Sequence, residues 1–248
     1  MAARHASAYG PRARLGLIVP PTNTVNEAEW ARLMPEGVTF HSHRMPLHTD
    51  AESGPGRAAL LADLEAVFAL LGQCGADVIA YACTAGSMVT PADALPGELT
   101  ARTGRAAVTT AAAIVAALRA LGVRRLAVAT PYAQALNDHE AHFLADHGFE
   151  VLKLAGLGIG AGGPREYPRI ARTPLEAVAA HARGAMVPGA EALLISCTDF
   201  PTLPLIAPLE AELGVPVVSS VTATLWAALR EAGIADAPAA GGRLFAAG

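Results

Sequence analysis

ADVIAYACTAGS (Ala76 to Ser87) and AEALLISCTDFPT (Ala190 to Thr202) each run through a short apolar stretch into a Cys-Thr pair, so the motif recurs after 114 residues, from Cys83 to Cys197. Working outward, the flanks repeat as well. RLGLIVPPTN (Arg14 to Asn23) is answered by RLAVATPYAQ (Arg125 to Gln134), and TGRAAVTT (Thr103 to Thr110) by LGVPVVSS (Leu213 to Ser220). Each of the latter leads into a helical stretch with a shared ending, AALRALG (Ala116 to Gly122) and AALREAG (Ala227 to Gly233). Echoes in the same order at nearly one offset indicate duplicated half-domains, with a period too long for a solenoid. A pseudo-twofold pair of halves would set the two thiols across a shared cleft, one on each side of a bound molecule.

The apolar runs are short, rich in Val, Ile, Leu and Ala, and lack polar alternation, as in strands buried on both faces of a parallel sheet. They fall at 15–20, 38–43, 77–82, 107–109, 126–130, 151–154, 192–196 and 215–219, with longer helical patterns between them. The expected fold is α/β, with two pseudo-symmetric halves, each a four-stranded parallel sheet flanked by helices, and an active site in the cleft between them. Residues 1–14 read as a loose tail. Residues 15–110 form the first half, joined by a last helix from 223–245 that packs back, and 111–222 form the second.

Composition sets the class. With 248 residues, 52% hydrophobic and 16% charged, the chain can bury a sizeable core. A formal charge of -4, a single lysine (Lys153) and scattered arginines leave no basic stripe for nucleic acid. The longest apolar stretch, near Ala106 to Leu118, is shorter than the roughly 20 residues of a membrane helix, and the run Leu15 to Pro20 is too short for a signal-peptide core. The expectation is a cytoplasmic protein with neither nucleic-acid nor membrane partners. Apolar helix faces at Ala111 to Leu121 and Ala223 to Ala232 suggest a homo-oligomer, a dimer or dimer of dimers. Three cysteines make no disulfide framework and fit a reducing compartment.

In parallel α/β sheets ligands bind beyond the carboxyl ends of the strands. There the sequence places Pro20 to Asn23, Cys83 to Ser87, Pro131 and Tyr132, and Cys197 to Asp199. Helix N-termini after both cysteines offer free N–H groups to a carboxylate and should lower the thiol pKa from about 8.5. Blander roles stand beside these. Cys74, inside a helical run, reads as a buried apolar residue. Asn23, Thr84, Ser87 and Thr198 are competent helix caps, and Tyr132 could simply pack at the cleft edge. His41, His43 and His48 lack companions for a metal site. Gly158, Gly160 and Gly163 mimic a dinucleotide fingerprint but precede a Pro-rich loop rather than a helix; that loop reads better as a lid.

The segments PPTNTVNE (Pro20 to Glu27), AYACTAGS (Ala80 to Ser87), ATPY (Ala129 to Tyr132), SCT (Ser196 to Thr198) and VPVVSS (Val215 to Ser220) resemble the aspartate/glutamate racemase superfamily. Within it the resemblance is to the maleate cis-trans isomerase branch, with arylmalonate decarboxylases as relatives. It implies a cofactor-independent isomerase of maleate or a related small unsaturated dicarboxylate. Cys83 would be the nucleophile and Cys197 the opposed acid, while Asn23, Thr84, Ala85, Tyr132 and Thr198 would bind substrate; no metal is implied. The decarboxylase relatives keep only the second cysteine, so Cys83 points away from that chemistry. A two-cysteine racemase of an amino acid or hydantoin, and a non-catalytic carboxylate-binding protein, are the alternatives. Departures from the isomerase pattern occur at Gly156 to Ile170, which lacks an expected asparagine, at Asp199, Phe200 and Pro201, and at Val221 and Thr222.

Overall fold

In a computed structural model describing residues 4–48 and 53–247, the repeat is realised as two four-stranded parallel sheets. The first half runs β1 (Ala13–Val19), α1 (Asn26–Leu33), β2 (Val38–Arg44), α2 (Gly54–Gln73), β3 (Val78–Tyr81), a single turn α3 (Thr84–Ser87), α4 (Ala94–Thr103), β4 (Ala106–Thr109) and α5 (Thr110–Ala120). The second runs β5 (Arg125–Tyr132), α6 (Gln134–Asp146), β6 (Glu150–Ile159), α7 (Pro168–Ala171), α8 (Leu175–Ala185), β7 (Ala192–Ile195), α9 (Leu203–Leu213), β8 (Val217–Ser219) and α10 (Ser220–Glu231), and α11 (Arg243–Ala246) follows. Strand orders β2-β1-β3-β4 and β6-β5-β7-β8 are the same order twice, with every pairing parallel. The expected α/β architecture is therefore present in both halves.

Side-chain alternation along the central strands sorts residues into layers. Leu15, Leu17, Val78 and Ala80 of the first sheet join Leu126, Val128, Ala192 and Leu194 of the second in one shared core, filled between the sheets by Trp30 of α1, Phe143 of α6 and the apolar faces of α5 and α10. The opposite faces carry separate cores. Ile79 and Tyr81 pack against Leu64 and Phe68 of α2, and Leu193 and Ile195 lie among Val178 of α8 and Ile206 of α9. Because α10 packs on α5, β3 and β4, the apolar faces at Ala111 to Leu121 and Ala223 to Ala232 are consumed inside the chain. They supply no dimer surface, contrary to the reason for expecting one.

Most strand bounds shift by a residue or two, the repeat groups α5 with the first half rather than with 111–222, and two boundaries differ further. The first strand starts at Ala13, and residues 4–12 of the expected tail are tied down: His5 Nε2 lies 2.9 Å from Asp77 Oδ2, and Arg12 Nη1 donates to Asp236 Oδ1 at 2.9 Å. Residues 1–3 lie outside the described residues. β6 continues to Ile159, well into the glycine-rich segment, because parallel pairing with β5 holds as far as Tyr132 and Ile159. Among the described residues no helix is long and apolar enough to cross a membrane.

Candidate active site

Each cysteine lies two residues beyond its strand, keeping the outer-face parity, in the turn at the carboxyl edge. Cys83 is the N-cap of α3, its Sγ accepting the Gly86 N–H at 3.4 Å. Cys197 sits in a tighter turn, with φ of 93°, and its Sγ accepts the Asp199 N–H at 3.4 Å. Among the described residues it is the sole non-glycine residue with positive φ, a conformation costing about 1–3 kcal/mol and concentrated at functional sites. The two turns face one cavity of about 580 Å³ lined by Cys83, Thr84, Ala85, Asn23, Tyr132, Cys197 and Thr198. All seven residues singled out from the sequence thus share one space.

Hydrogen bonds stitch the halves together around that space. Thr198 donates to Ala82 O at 3.0 Å and accepts from Asn23 Nδ2 at 3.2 Å; Thr84 donates to Ser220 Oγ at 3.0 Å, which also accepts the Cys197 N–H at 2.9 Å. Each threonine hydroxyl has one proton, and each spends it within the protein. The threonines therefore fix the cleft, leaving the Asn23 amide and the backbone N–H groups of the α3 turn as donors for a ligand, which the Tyr132 phenol joins by giving up its contact with Cys197. Asn23 combines its two readings: Oδ1 accepts the N–H groups of Val25 and Asn26 at 3.1 and 3.0 Å, and this capping of α1 orients Nδ2 into the cleft.

Each thiol has its own phenol. The Tyr132 hydroxyl hydrogen-bonds Cys197 from within the cavity wall. Tyr81, two residues before Cys83 on β3, hydrogen-bonds the Cys83 thiol from the far side, inside the core beneath α2 and α4. In the sequence Tyr81 reads as core, as a tyrosine in an apolar strand does, and its i, i+2 spacing from Cys83 is the one signal of this contact. Gly86 leaves room for this contact, since a Cβ there would stand 2.3 Å from Tyr81 Oη and 3.2 Å from Cys83 Sγ.

Burial outweighs the donors. The Cys83 thiol pKa is raised, chiefly by desolvation and against the pull of the Gly86 N–H and Tyr81. Desolvation pushes Cys197 up to about 12, and the Asp199 carboxylate adds to it. The lowering expected from helix N-termini is thus overridden by removal from water. The two thiols remain unequal, because among the described residues only Cys197 has a carboxylate beside it.

Outside the seven residues, Asp199, His48 and His139 also line the cavity, as do Ile159, Gly160, Tyr167 and Ile170 from the glycine-rich segment. That segment is folded back on itself by Glu166, which accepts the N–H groups of Gly160 and Gly162 at 2.8 and 3.2 Å. A further carboxylate, Glu140 of α6, is buried with Oε2 unpartnered, and burial raises its pKa to about 7.

The sequence model of the arylmalonate decarboxylase family matches residues 15–245. The chain belongs to that family. Within the arylmalonate decarboxylase family, it is 33% identical over 245 residues to the maleate isomerase of Nocardia farcinica, covering 94% of this chain and 95% of that protein. It is 34% identical over 235 residues to the arylmalonate decarboxylase of Bordetella bronchiseptica, covering 93% and 95%. Among solved structures, the maleate-bound maleate isomerase of Pseudomonas putida S16 superposes with a TM-score of 0.84 at 26% identity, covering 95% of this chain and 98% of that one. A cysteine-to-serine variant of the Nocardia farcinica maleate cis-trans isomerase, carrying a covalently bound succinylcysteine intermediate, superposes with a TM-score of 0.81 at 30% identity, covering 94% and 98%.

Proposed function

We propose that the chain is a cis-trans isomerase of maleate or a closely related unsaturated dicarboxylate, working through its two thiols. The observation that carries this reading is the pair itself: Cys83 and Cys197, one from each half, both buried and both lining one cavity. A carbon-carbon double bond rotates only after its π bond is broken, and thiolate addition to a carboxylate-activated alkene breaks it. Cys83, free of a neighbouring carboxylate and supported by the Gly86 N–H and the Tyr81 phenol, adds as thiolate to one alkene carbon. The displaced electron pair moves into the adjacent carboxylate, and Cys197 protonates the neighbouring carbon to give an S-succinyl adduct. After rotation about the new single bond, the Cys197 thiolate removes that proton and the Cys83 thiolate leaves, so both cysteines return to their starting states. Asn23, Tyr132 and the amide of Ala85 hold the carboxylates while charge develops on them.

The succinylcysteine in the Nocardia farcinica relative supports this sequence, since a variant that has lost one cysteine carries its adduct on another. The test is direct: proton NMR of maleate incubated with the protein should show the cis vinyl signal replaced by that of fumarate, and Cys83→Ser should abolish the conversion. Solvent deuterium washed into the α position of an amino acid, with maleate untouched, would establish the racemase alternative instead.

A further inference from the structure

Among the described residues lining the cavity Asp199 is the one carboxyl group, and Thr198 and Asp199 in the second half take the places of Thr84 and Ala85 in the first. Its residue is 6% exposed. Oδ1 accepts the Thr24 N–H at 2.9 Å, but Oδ2 is buried without any hydrogen-bond partner in the protein. Among the described residues no lysine or arginine lines the cavity, so an ionised Asp199 would set a further negative charge against a doubly charged ligand. Resting on the dicarboxylate reading, we propose that Asp199 binds substrate as the neutral acid, its free oxygen donating a hydrogen bond to a substrate carboxylate beside the Asn23 amide. The site then selects a dicarboxylate plus one proton: above neutral pH, binding draws a proton from solvent onto Asp199 and product release returns it.

The charged surroundings agree with this. Burial raises the Asp199 pKa to about 7, with the Thr24 and Val25 N–H groups and the Arg44 charge pulling the other way. Arg44 is itself engaged by Glu27 Oε2 at 2.6 Å and by Asn23 O at 2.9 Å. Among the described residues, the other titratable groups facing the same space are Cys83, Cys197, Tyr132, Tyr167, His139 and His48, the last 2.8 Å from Asp63. An imidazole protonating with the ligand would mimic the effect, and the test separates it.

The probe is succinate, a saturated dicarboxylate, titrated calorimetrically at pH 8 in two buffers of different ionisation enthalpy. Wild type should take up close to one proton per succinate and Asp199→Asn none. The KM for maleate should rise about tenfold per pH unit above pH 7 in wild type and stay flat in Asp199→Asn. Absence of uptake in wild type, uptake that persists in Asp199→Asn, uptake lost only in His48→Asn or His139→Asn, or failure of succinate to bind would each overturn the proposal. Maleate turnover without proton uptake removes this role alone, whereas uptake without turnover leaves it standing and removes the isomerase reading.

Discussion

Replacing Tyr81 with phenylalanine isolates the most specific feature of the proposed nucleophile, Cys83. The phenol hydrogen-bonds the Cys83 thiol from outside the cavity, and its own pKa is raised well above 10 by burial and by Cys83, so it remains a donor throughout the working range. A hydrogen bond to a charged group contributes roughly 1.5–3 kcal/mol. At 1.36 kcal/mol per pKa unit, its loss cuts the Cys83 thiolate population at a fixed pH below the thiol pKa by about 10- to 100-fold. The rate falls less, because thiolate nucleophilicity rises with basicity with a Brønsted slope of about 0.4–0.5; the net loss in alkylation or turnover near neutral pH is roughly 3- to 10-fold. The decisive assay is the pH profile of Cys83 alkylation by iodoacetamide in a Cys197→Ser, Cys74→Ser background. Removal of the donor should move its midpoint to higher pH, with rates at the alkaline plateau at least equal to those with Tyr81 present. Gly86→Ala should act in the same direction, its Cβ standing 2.3 Å from where Tyr81 Oη now lies. Superimposable profiles with and without the phenol would refute the reasoning, even if turnover fell.

In Cys197→Ser, addition should proceed without efficient completion, so intact-mass spectrometry after maleate exposure should find an adduct of one maleate on Cys83, absent from Cys83→Ser. Ser220→Ala strips the acceptor from the Cys197 N–H and the Thr84 hydroxyl at once; leaving buried donors unpaired costs about 1–3 kcal/mol, read as a melting temperature lower by roughly 3–10 °C. Glu140→Gln should stabilise the fold in a pH-dependent way. The Glu140 pKa is raised to about 7 by burial, so wild type carries no penalty below about pH 4.5 and loses stability as pH rises through 7. By pH 8 the variant should gain up to about 3 kcal/mol in denaturant titration, and an equal gain at pH 4.5 would exclude titration as the cause.

The duplicated architecture and the seven cavity residues were legible because they rest on local rules: short apolar runs form buried parallel strands, and polar residues at their carboxyl ends meet where the sheets face each other. What could not be read was whatever depends on three-dimensional neighbours. Thr84 and Thr198 look like ligand donors in one dimension, but their protons are claimed by Ser220 and Ala82, partners 136 and 116 residues away. The thiol pKa values were expected to fall because helix ends are visible in sequence while the depth of burial is not. Similarly, α5 and α10 each show an apolar face, and only the packing reveals that the two faces cover each other.

A duplicated fold makes two similar thiols, yet addition and proton transfer require one to act as thiolate and the other as thiol. The inequality comes from three places where the aligned halves differ. Tyr81 on β3 has Ile195 as its counterpart on β7, so Cys83 alone has a phenol from its own strand, shut away from the cavity and unable to turn toward substrate. Tyr132 has Pro21 as its counterpart, so the phenol of Cys197 lines the cavity and can exchange its thiol contact for a substrate oxygen. Asp199 replaces Ala85, and in the ligand-free protein its ionised form adds negative charge beside Cys197, so that this thiol meets the ligand in its protonated form. Tyr81 and the Asp199 charge favour negative charge on Cys83 and a proton on Cys197, whereas Tyr132 pulls the Cys197 pKa down for as long as it keeps its contact with that thiol. Exchanging the roles would therefore require changes around the cysteines, and Tyr81→Ile combined with Asp199→Ala should narrow the difference between their alkylation midpoints more than either substitution alone.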